Sequence, residues 1–150
     1  MDPPPDLDML SRAIVTATGD AIIAADREGR IRLWNRGATL VFGYEPGEVM
    51  GQSLDVIIPE RLRRAHWDAF DHSVATGRMK HVDRVLTTRS MHKDGRTLYV
   101  DLSFGLVKDA DGNVHGAFAI GRDCTERYLA ERAAKQRLQE LEARTPGGGA

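Results

Sequence analysis

The sequence predicts an α+β domain, in which a five-stranded antiparallel sheet carries short helices on one face and a flanking helix at each end of the chain. Three observations support this fold class. A chain of 150 residues that is 41% hydrophobic and 29% charged is long enough for one buried core. Its apolar residues recur with a helical period near both ends and alternate in between. Turns rich in glycine and aspartate separate the alternating segments, as they do between antiparallel strands.

The composition excludes several classes of function. The 21 basic side chains are balanced by 22 acidic ones, whereas proteins that bind nucleic acids usually carry a basic excess. No apolar run reaches the ~18–20 residues of a membrane span, and the acidic, proline-rich start is unlike a secretion signal. We therefore expect a cytoplasmic protein with no nucleic-acid or membrane partner. The single cysteine, Cys124, excludes an internal disulfide and is expected to be a small, partly buried residue.

The first elements follow from the spacing of apolar residues. An N-terminal helix that ends at Gly19 is predicted by apolar residues three or four positions apart, namely Leu7, Leu10, Ile14 and Ala17. A hairpin follows, with strands at Asp20–Ala25 and Arg30–Asn35. The second strand alternates charged and apolar residues, so Trp34 is expected at the sheet surface or in a dimer contact.

The remaining elements are marked by turn residues and helix formers. In chain order they are short helices at Ala38–Phe42 and Pro46–Met50, a longer helix at Pro59–Thr76, strands at His81–Met91, Arg96–Lys108 and Val114–Arg122, and a helix after Thr125. Gly77 follows the longer helix, and a proline begins it, which is the usual asymmetry of helix ends. The turn segments HKDG and DADGN separate the last three strands.

These elements divide the chain into three parts. Residues 1–19 form a tail and a flanking helix, residues 20–127 form the central domain, and residues 128–150 form a helix and a flexible glycine-rich tail. The N-terminal helix carries a narrow apolar stripe that has to pack on its own sheet or on a second copy. We expect a homodimer, with a short coiled segment near Ala134–Leu141.

Three segments carry a resemblance to a known family. They are the opening at Asp20–Gln52, the HKDGR hairpin at His92–Arg96 and the exit GRDCTER at Gly121–Arg127. In their order and turn residues they resemble the PAS sensor domain. The resemblance implies a PAS fold and a dimeric signalling module without catalysis. A stand-alone module is expected, because the sequence contains no kinase, cyclase or DNA-binding motif. Its output then acts on a separate effector protein in trans or has been cut away. The resemblance does not extend to the flavin photosensors of the family, because Cys124 lies at the exit and not in a central helix.

Polar residues at two corners of this pattern have local structural roles. Asn35, at a strand end, is expected to cap the helix that follows it. Asp123 and Thr125 are expected to bond local backbone where the last strand passes to the C-terminal helix.

The helix Pro59–Thr76 places a histidine among apolar residues. One face of it is formed by residues four positions apart, namely Leu62, His66, Phe70 and Val74. A neutral imidazole that points into a pocket is suited to ligate iron. The segment IPERLRRAH resembles the haem-binding PAS domains of bacterial oxygen-sensing kinases and phosphodiesterases. In those domains the proximal haem ligand is a histidine seven residues after the proline, and a hairpin glycine follows 29 residues later; Pro59, His66 and Gly95 have this spacing.

This resemblance implies further contacts with haem b. Positions six and fourteen after the histidine carry cations that bond the haem propionates in some members, and here they are His72 and Lys80. Two apolar residues of the distal wall correspond to Leu102 and Phe104.

The distal strand departs from the family pattern. The position of the oxygen-stabilising arginine, twenty residues after the histidine, is Leu86, and the position that can carry a distal methionine is Arg84. Both are expected on one strand face, so that Arg84 either replaces the missing donor or faces water.

Two hypotheses for the ligand stay open at this point. In the first, haem bound through His66 senses a diatomic gas or the redox state. In the second, the domain is a cofactor-free interaction and dimerisation module, its pocket is empty or holds a small organic molecule, and His66 is a core residue. An enzyme is not expected, because the sequence has no nucleophile–base motif, no phosphate-binding glycine loop and no paired histidines of a hydrolytic metal site.

Overall fold

One antiparallel sheet forms the framework of the molecule, in a computed structural model that describes residues 1–144. Its strands are β1 (Ala21–Asp26), β2 (Ile31–Trp34), β3 (Val85–Met91), β4 (Thr97–Lys108) and β5 (Val114–Asp123), arranged in the order β2-β1-β5-β4-β3. The helices are α1 (Leu7–Ala17), α2 (Arg36–Phe42), α3 (Pro46–Val49), α4 (Glu60–Thr76) and α5 (Thr125–Arg144). The predicted α+β class and five-stranded antiparallel sheet are confirmed. The predicted flexible tail, at residues 145–150, lies outside the described residues.

The core lies on one face of the sheet, between the strands and the helices that follow β2. It is built from buried apolar side chains of β1, β2, β4, α2, α3 and a 3-10 helix at Leu54–Ile57. The largest of those that are fully buried are Phe42, Ile31, Leu98, Val49 and Val100. No helix within residues 1–144 is both long and apolar enough to cross a membrane.

Asn35 joins three elements at one end of this core. Its Oδ1 accepts hydrogen bonds from the backbone N–H of Ala38 at 2.9 Å and of Ile22 at 2.8 Å. Its Nδ2 donates to the carbonyl oxygens of Val15 at 2.8 Å and Asp20 at 3.0 Å. The predicted cap of α2 is confirmed, and the same side chain also fixes the end of α1 against the start of β1.

Trp34 lies in the core, so its predicted place at the sheet surface or in a dimer contact is wrong. The residue is only 6% exposed, and its Nε1 donates to the carbonyl oxygen of Tyr44 at 3.0 Å. The cause is a β-bulge that leaves Arg32 without a partner in the pairing of β1 with β2. The extra residue breaks strict alternation and turns Ile31 and Trp34 to the same face.

The segment before β3 also differs from the prediction. The strand begins at Val85 and not at His81, because a turn occupies the preceding residues and Asp83 has a left-handed backbone with φ of 61°. A left-handed residue interrupts an extended strand. The 3-10 helix at Leu54–Ile57 was not predicted.

The exit from the sheet is organised as the sequence predicted. The N–H of Thr125 donates to Asp123 Oδ1 at 2.8 Å, and Thr125 Oγ1 accepts from the N–H of Tyr99 at 2.9 Å. Cys124 is buried, and this burial is the main reason why its thiol pKa is raised.

Helix α5 starts on the sheet face opposite the core. Side chains alternate along a strand, so Tyr99 and Asp101 of β4 face away from the buried Val100. The ring of Tyr99 stacks on Tyr128 with centroids 3.9 Å apart, and Arg127 Nη2 lies 2.6 Å from Asp101 Oδ2. The first turn of α5 is therefore bonded to the middle of the sheet.

Candidate functional site

Trp67 fixes the orientation of helix α4. Its indole Nε1 donates to Asp55 Oδ1 in the 3-10 helix at 2.7 Å. Its ring also packs against Gly29 in the turn between β1 and β2, where an added Cβ would lie 2.1 Å from the indole. A hydrogen bond thus holds one edge of the indole and contact with Gly29 holds the other, and these contacts fix the part of α4 that carries the neighbouring residue His66.

A cavity of about 220 Å³ lies between α4, the sheet and the segment of residues 77–84 that joins α4 to β3. Its lining residues are His66, Ala69, Phe70 and Ser73 of α4, Met79, Lys80 and His81 of the joining segment, Leu86 of β3, Phe104 of β4 and Ala117 of β5. Most of these side chains are apolar, and the polar groups come from two neighbouring segments. Such a lining suits a largely apolar ligand that is oriented by a few polar contacts.

His66 contributes the one buried side-chain nitrogen or oxygen within residues 1–144 that has no hydrogen-bond partner, its Nδ1. Its ring meets Trp67 edge-on with centroids 4.7 Å apart and lies 6.0 Å from the Phe70 ring. Burial lowers the pKa of His66, and the nearby carboxylates of Asp55 and Asp71 only partly oppose that effect. The imidazole is therefore held neutral, which is the form that ligates metals.

Four of the residues predicted for the site line this cavity: His66, Lys80, Leu86 and Phe104. Leu102 lies behind them in the core, where it is paired with Leu86 across β3 and β4. The cavity wall on the sheet side is thus apolar, and Lys80 is exposed at its edge.

His72 and Arg84 do not line the cavity. His72 lies six residues after His66, which at about 100° per residue turns it to another side of the helix, and it is exposed. Arg84 is exposed and precedes β3, so the prediction that Arg84 and Leu86 share a strand face is wrong. The conformation of Asp83 explains the difference, because it ends the turn just before the strand begins.

His81 and Met79 line the cavity, although neither was predicted to do so. Both lie in the segment that was assigned to a strand or left between elements, and no periodicity marks which side chains of an irregular segment turn inward. Asp83 itself is a weak sequence signal for a turn, because aspartate tolerates a left-handed backbone better than most residues.

A groove of about 520 Å³ that is open to the surface lies next to this cavity. Met79 and Phe104 line both the groove and the cavity. The cavity alone is smaller than the ~300–1,000 Å³ of most small-molecule sites. Methionine is unbranched and adapts its shape readily, so movement of the Met79 side chain would join the two spaces.

A five-stranded antiparallel sheet with helices on one face, and a partly open cavity beside α4, are typical of a small sensory domain. Residues 10–124 match the family model of the PAS fold. The chain therefore belongs to the PAS family, and it is a sensory domain related to those of sensor kinases.

Two curated relatives are sensors. The chain is 30% identical over 135 residues to the sensor protein FixL of Bradyrhizobium diazoefficiens, an alignment that covers 88% of this chain and 25% of FixL. It is 25% identical over 119 residues to the oxygen sensor protein DosP of Escherichia coli, covering 79% of this chain and 14% of DosP. The chain thus spans a quarter or less of the length of these relatives.

Solved structures agree on the fold. The PAS domain of a protein from Colwellia psychrerythraea superposes with a TM-score of 0.70 at 21% identity, covering 81% of this chain and 99% of that domain. An RNA-binding Light-Oxygen-Voltage receptor superposes with a TM-score of 0.69 at 19% identity, covering 92% of this chain and 41% of the receptor. At these identities the likeness concerns the fold alone.

The residue types that line the cavity suit a haem group, although a group of that size also needs the neighbouring space beyond Met79. His66 offers a neutral imidazole with an unpartnered buried nitrogen, the walls are apolar, and Lys80 is placed at the edge to meet a carboxylate. Within residues 1–144, no group of three or more His, Cys, Asp or Glu side chains is placed to hold a metal ion. Haem brings its own equatorial nitrogen ligands, so it needs only an axial ligand from the protein.

Proposed function

We propose that this PAS domain is a haem-based sensor of a diatomic gas or of the redox state, with His66 as the axial ligand. The observation that carries the proposal is the buried, unpartnered Nδ1 of His66 beside an apolar cavity. Buried polar atoms in proteins are nearly always hydrogen-bonded, and an exception calls for an explanation such as a missing ligand. The similarity of the segment Pro59–His66 to haem-binding PAS domains supports the same ligand.

The protein residues around His66 would keep it ready to bind iron. Burial holds the ring neutral, and the edge contact with Trp67 limits its rotation. Trp67 is in turn fixed by its hydrogen bond to Asp55. Lys80 at the cavity edge is the cation available for a propionate, whereas His72 lies away from the cavity.

The opposite wall would determine which ligand the iron accepts. When bound, haem supplies an iron atom that takes up a diatomic gas or changes its oxidation state. On the sheet side of that space, Leu86 and Phe104, backed by Leu102, present apolar groups and offer no hydrogen-bond donor. If haem were held here, this wall would offer no hydrogen bond to a gas, so we expect the haem-loaded chain to favour carbon monoxide over oxygen, which gains more from a donor.

A chain of hydrogen bonds connects this wall to α5. Thr87, next to Leu86, donates from Oγ1 to Asp101 Oδ1 at 2.6 Å. Asp101 accepts from Arg127 of α5 on its other oxygen at 2.6 Å. A shift of β3 would therefore change the contacts of the first turn of α5. We propose that this is the route of the signal, and that a separate effector in trans receives it.

An absorption spectrum of the full chain after expression with haem supplied tests the proposal. We expect a sharp Soret band in the wild type and in His72→Ala, and loss of that band in His66→Ala. His72→Ala is the matched control, because it removes an exposed histidine from the same helix. A colourless wild-type protein, or a band that survives in His66→Ala, would overturn the proposal.

A cofactor-free interaction module is the second candidate function. The size of the cavity, about 220 Å³, supports it, because a space below the usual range of small-molecule sites suits an empty pocket or a very small organic molecule. Native mass spectrometry of the purified chain separates the two functions. A bound species with the mass of haem supports the first, and a smaller organic species or none supports the second.

We also propose that the domain is a cytoplasmic homodimer, joined through α1. No residue of α1 is buried in the single chain, and Leu7, Leu10 and Ile14 are 77%, 41% and 63% exposed. A second copy of the stripe would cover these side chains, and α5 would continue as the short coiled segment at Ala134–Leu141. Nucleic acids and membranes are not expected among the partners, and catalysis is not part of the proposal.

Light scattering tests the dimer. We expect Ile14→Glu to reduce the mass to that of a monomer, because a charge would be buried in the contact. Val107→Glu, which changes an exposed apolar residue of β4, should leave the dimer intact. A dimer that withstands Ile14→Glu would place the contact elsewhere.

A further inference from the structure

We infer that His81 is a second axial ligand of the haem iron in the gas-free protein, so that an incoming gas must displace it. The inference rests on the proposed function. It begins from one observation: His66 and His81, from two different segments, line the same cavity. Within residues 1–144, no other histidine lines it.

The other polar or sulfur-containing groups of the cavity are poorer candidates. Ser73 presents a hydroxyl, which is a poor ligand for haem iron, and Lys80 is exposed at the cavity edge. The Met79 thioether is soft, whereas imidazole suits iron in both oxidation states. The sheet side presents only Leu86, Phe104 and Ala117, so a second protein ligand has to come from the joining segment.

The position of His81 in the chain gives this ligand a mechanical role. Residues 77–84 have no regular secondary structure, and the side chain of His81 forms no hydrogen bond or ion pair with the described part of the chain. The segment leads directly into β3, whose Thr87 is bonded to Asp101 and through it to Arg127 of α5. Release of His81 from the iron would free the start of β3, and this change would reach α5 through those hydrogen bonds.

This arrangement also accounts for the apolar distal wall. The side chain of Leu86 has no hydrogen-bond donor, so β3 would form no hydrogen bond with a gas in the cavity. Gas binding would therefore not move the strand through such a bond. The displaced imidazole would transmit gas binding without such a bond. The sensing step is then a competition between a gas molecule and His81 for one coordination position.

The spin state of the haem-loaded full chain tests the inference. We expect six-coordinate, low-spin spectra for the wild type, by absorption and by electron paramagnetic resonance of the ferric form. His81→Ala should retain haem but become high-spin, and added imidazole should restore the low-spin spectrum. His72→Ala is the control for loss of a nearby histidine and should stay low-spin. Met79→Leu removes the other possible ligand; because Met79 lines the cavity, the affinity for haem can change, but the haem that is bound should stay low-spin.

The outcomes separate this inference from the proposed function. A wild-type spectrum that is high-spin and unchanged in His81→Ala would overturn the inference while leaving His66 as the haem ligand. Loss of the low-spin form in Met79→Leu, but not in His81→Ala, would assign the second ligand to Met79. A wild-type chain that takes up no haem would overturn both.

Discussion

Two regions of the molecule hold polar side-chain atoms away from water, with opposite results. The first is the junction of α1, β1 and α2, where Asn35 lies. The second is the cavity beside α4, where His66 lies. The amide of Asn35 makes four hydrogen bonds to backbone groups of three elements. The Nδ1 of His66 makes none. A fully paired buried group stabilises one structure, whereas an unpaired one lowers stability until a ligand satisfies it. The comparison separates the part of the domain that maintains the fold from the part that is available to bind.

Replacing the paired residue should have the largest effect on stability. Asn35→Ala removes the cap of α2 at the buried N–H of Ala38 and leaves part-buried backbone groups of Ile22 and Asp20 without these partners. We expect a loss of about 3 kcal/mol in the free energy of unfolding, measured by chemical denaturation. Asn113→Ala, which removes an exposed side-chain bond in a turn, is the control and should cost much less. Equal losses of unfolding free energy in the two variants would show that the hydrogen bonds of Asn35 do not stabilise the fold more than an exposed turn does.

A change in the support of α4 should have the next largest effect. An alanine at Gly29 would put its Cβ 2.1 Å from the Trp67 ring and would adopt φ of 78°. We expect Gly29→Ala to cost about 2 kcal/mol and to weaken haem binding, since Trp67 and with it His66 must shift. Gly112→Ala is a matched control, because this glycine has φ of 82° with no atom within 4 Å of an added Cβ.

The control isolates the cost of the backbone conformation. Gly112→Ala should lose only about 1 kcal/mol and bind haem as the wild type does. If both variants lose the same stability and neither affects haem, the contact between Gly29 and Trp67 does not position the site.

Replacing the unpaired residue should have the smallest effect and the opposite sign. His66→Leu removes a buried nitrogen without a partner, so the haem-free protein should gain up to about 1 kcal/mol in stability. It should also change the pH dependence. The folded-state pKa of His66 is lowered, so the unfolded chain binds more protons below its ordinary pKa of about 6.5, and stability falls as the pH falls below that value.

Denaturation of the haem-free chain at several pH values checks this prediction. The wild type should lose stability between neutral and mildly acidic pH, and His66→Leu should lose less of it over the same range. A variant that is less stable than the wild type at neutral pH would mean that His66 has a structural partner after all.

The same contrast explains what the sequence could predict. Caps and turns depend on a few adjacent residues, so Asn35, Asp123 and Thr125 were assigned correctly from their place in the chain. The inward face of α4 followed from a four-residue period, and its Phe70 and Val74 are buried. These features are local, and local chemistry is sufficient to predict them.

The errors lie where non-local contacts or irregular backbone decide the result. The place of Trp34 depends on a bulge in the pairing of β1 with β2, which strict alternation does not anticipate. The position of Arg84 depends on the left-handed Asp83. His81 lines the cavity because the segment before β3 is a turn. The sequence predicted a strand there, so His81 was not identified as a cavity residue.

The proposed function depends on one bond, the bond between the His66 imidazole and the haem iron. Its most direct test is the haem affinity of His66→Gly, measured by titration with and without free imidazole. We expect His66→Gly to lose haem. Free imidazole should enter the space left by the His66 side chain and restore haem binding towards the wild-type level. A His66→Gly variant that binds haem as tightly as the wild type without imidazole would contradict it.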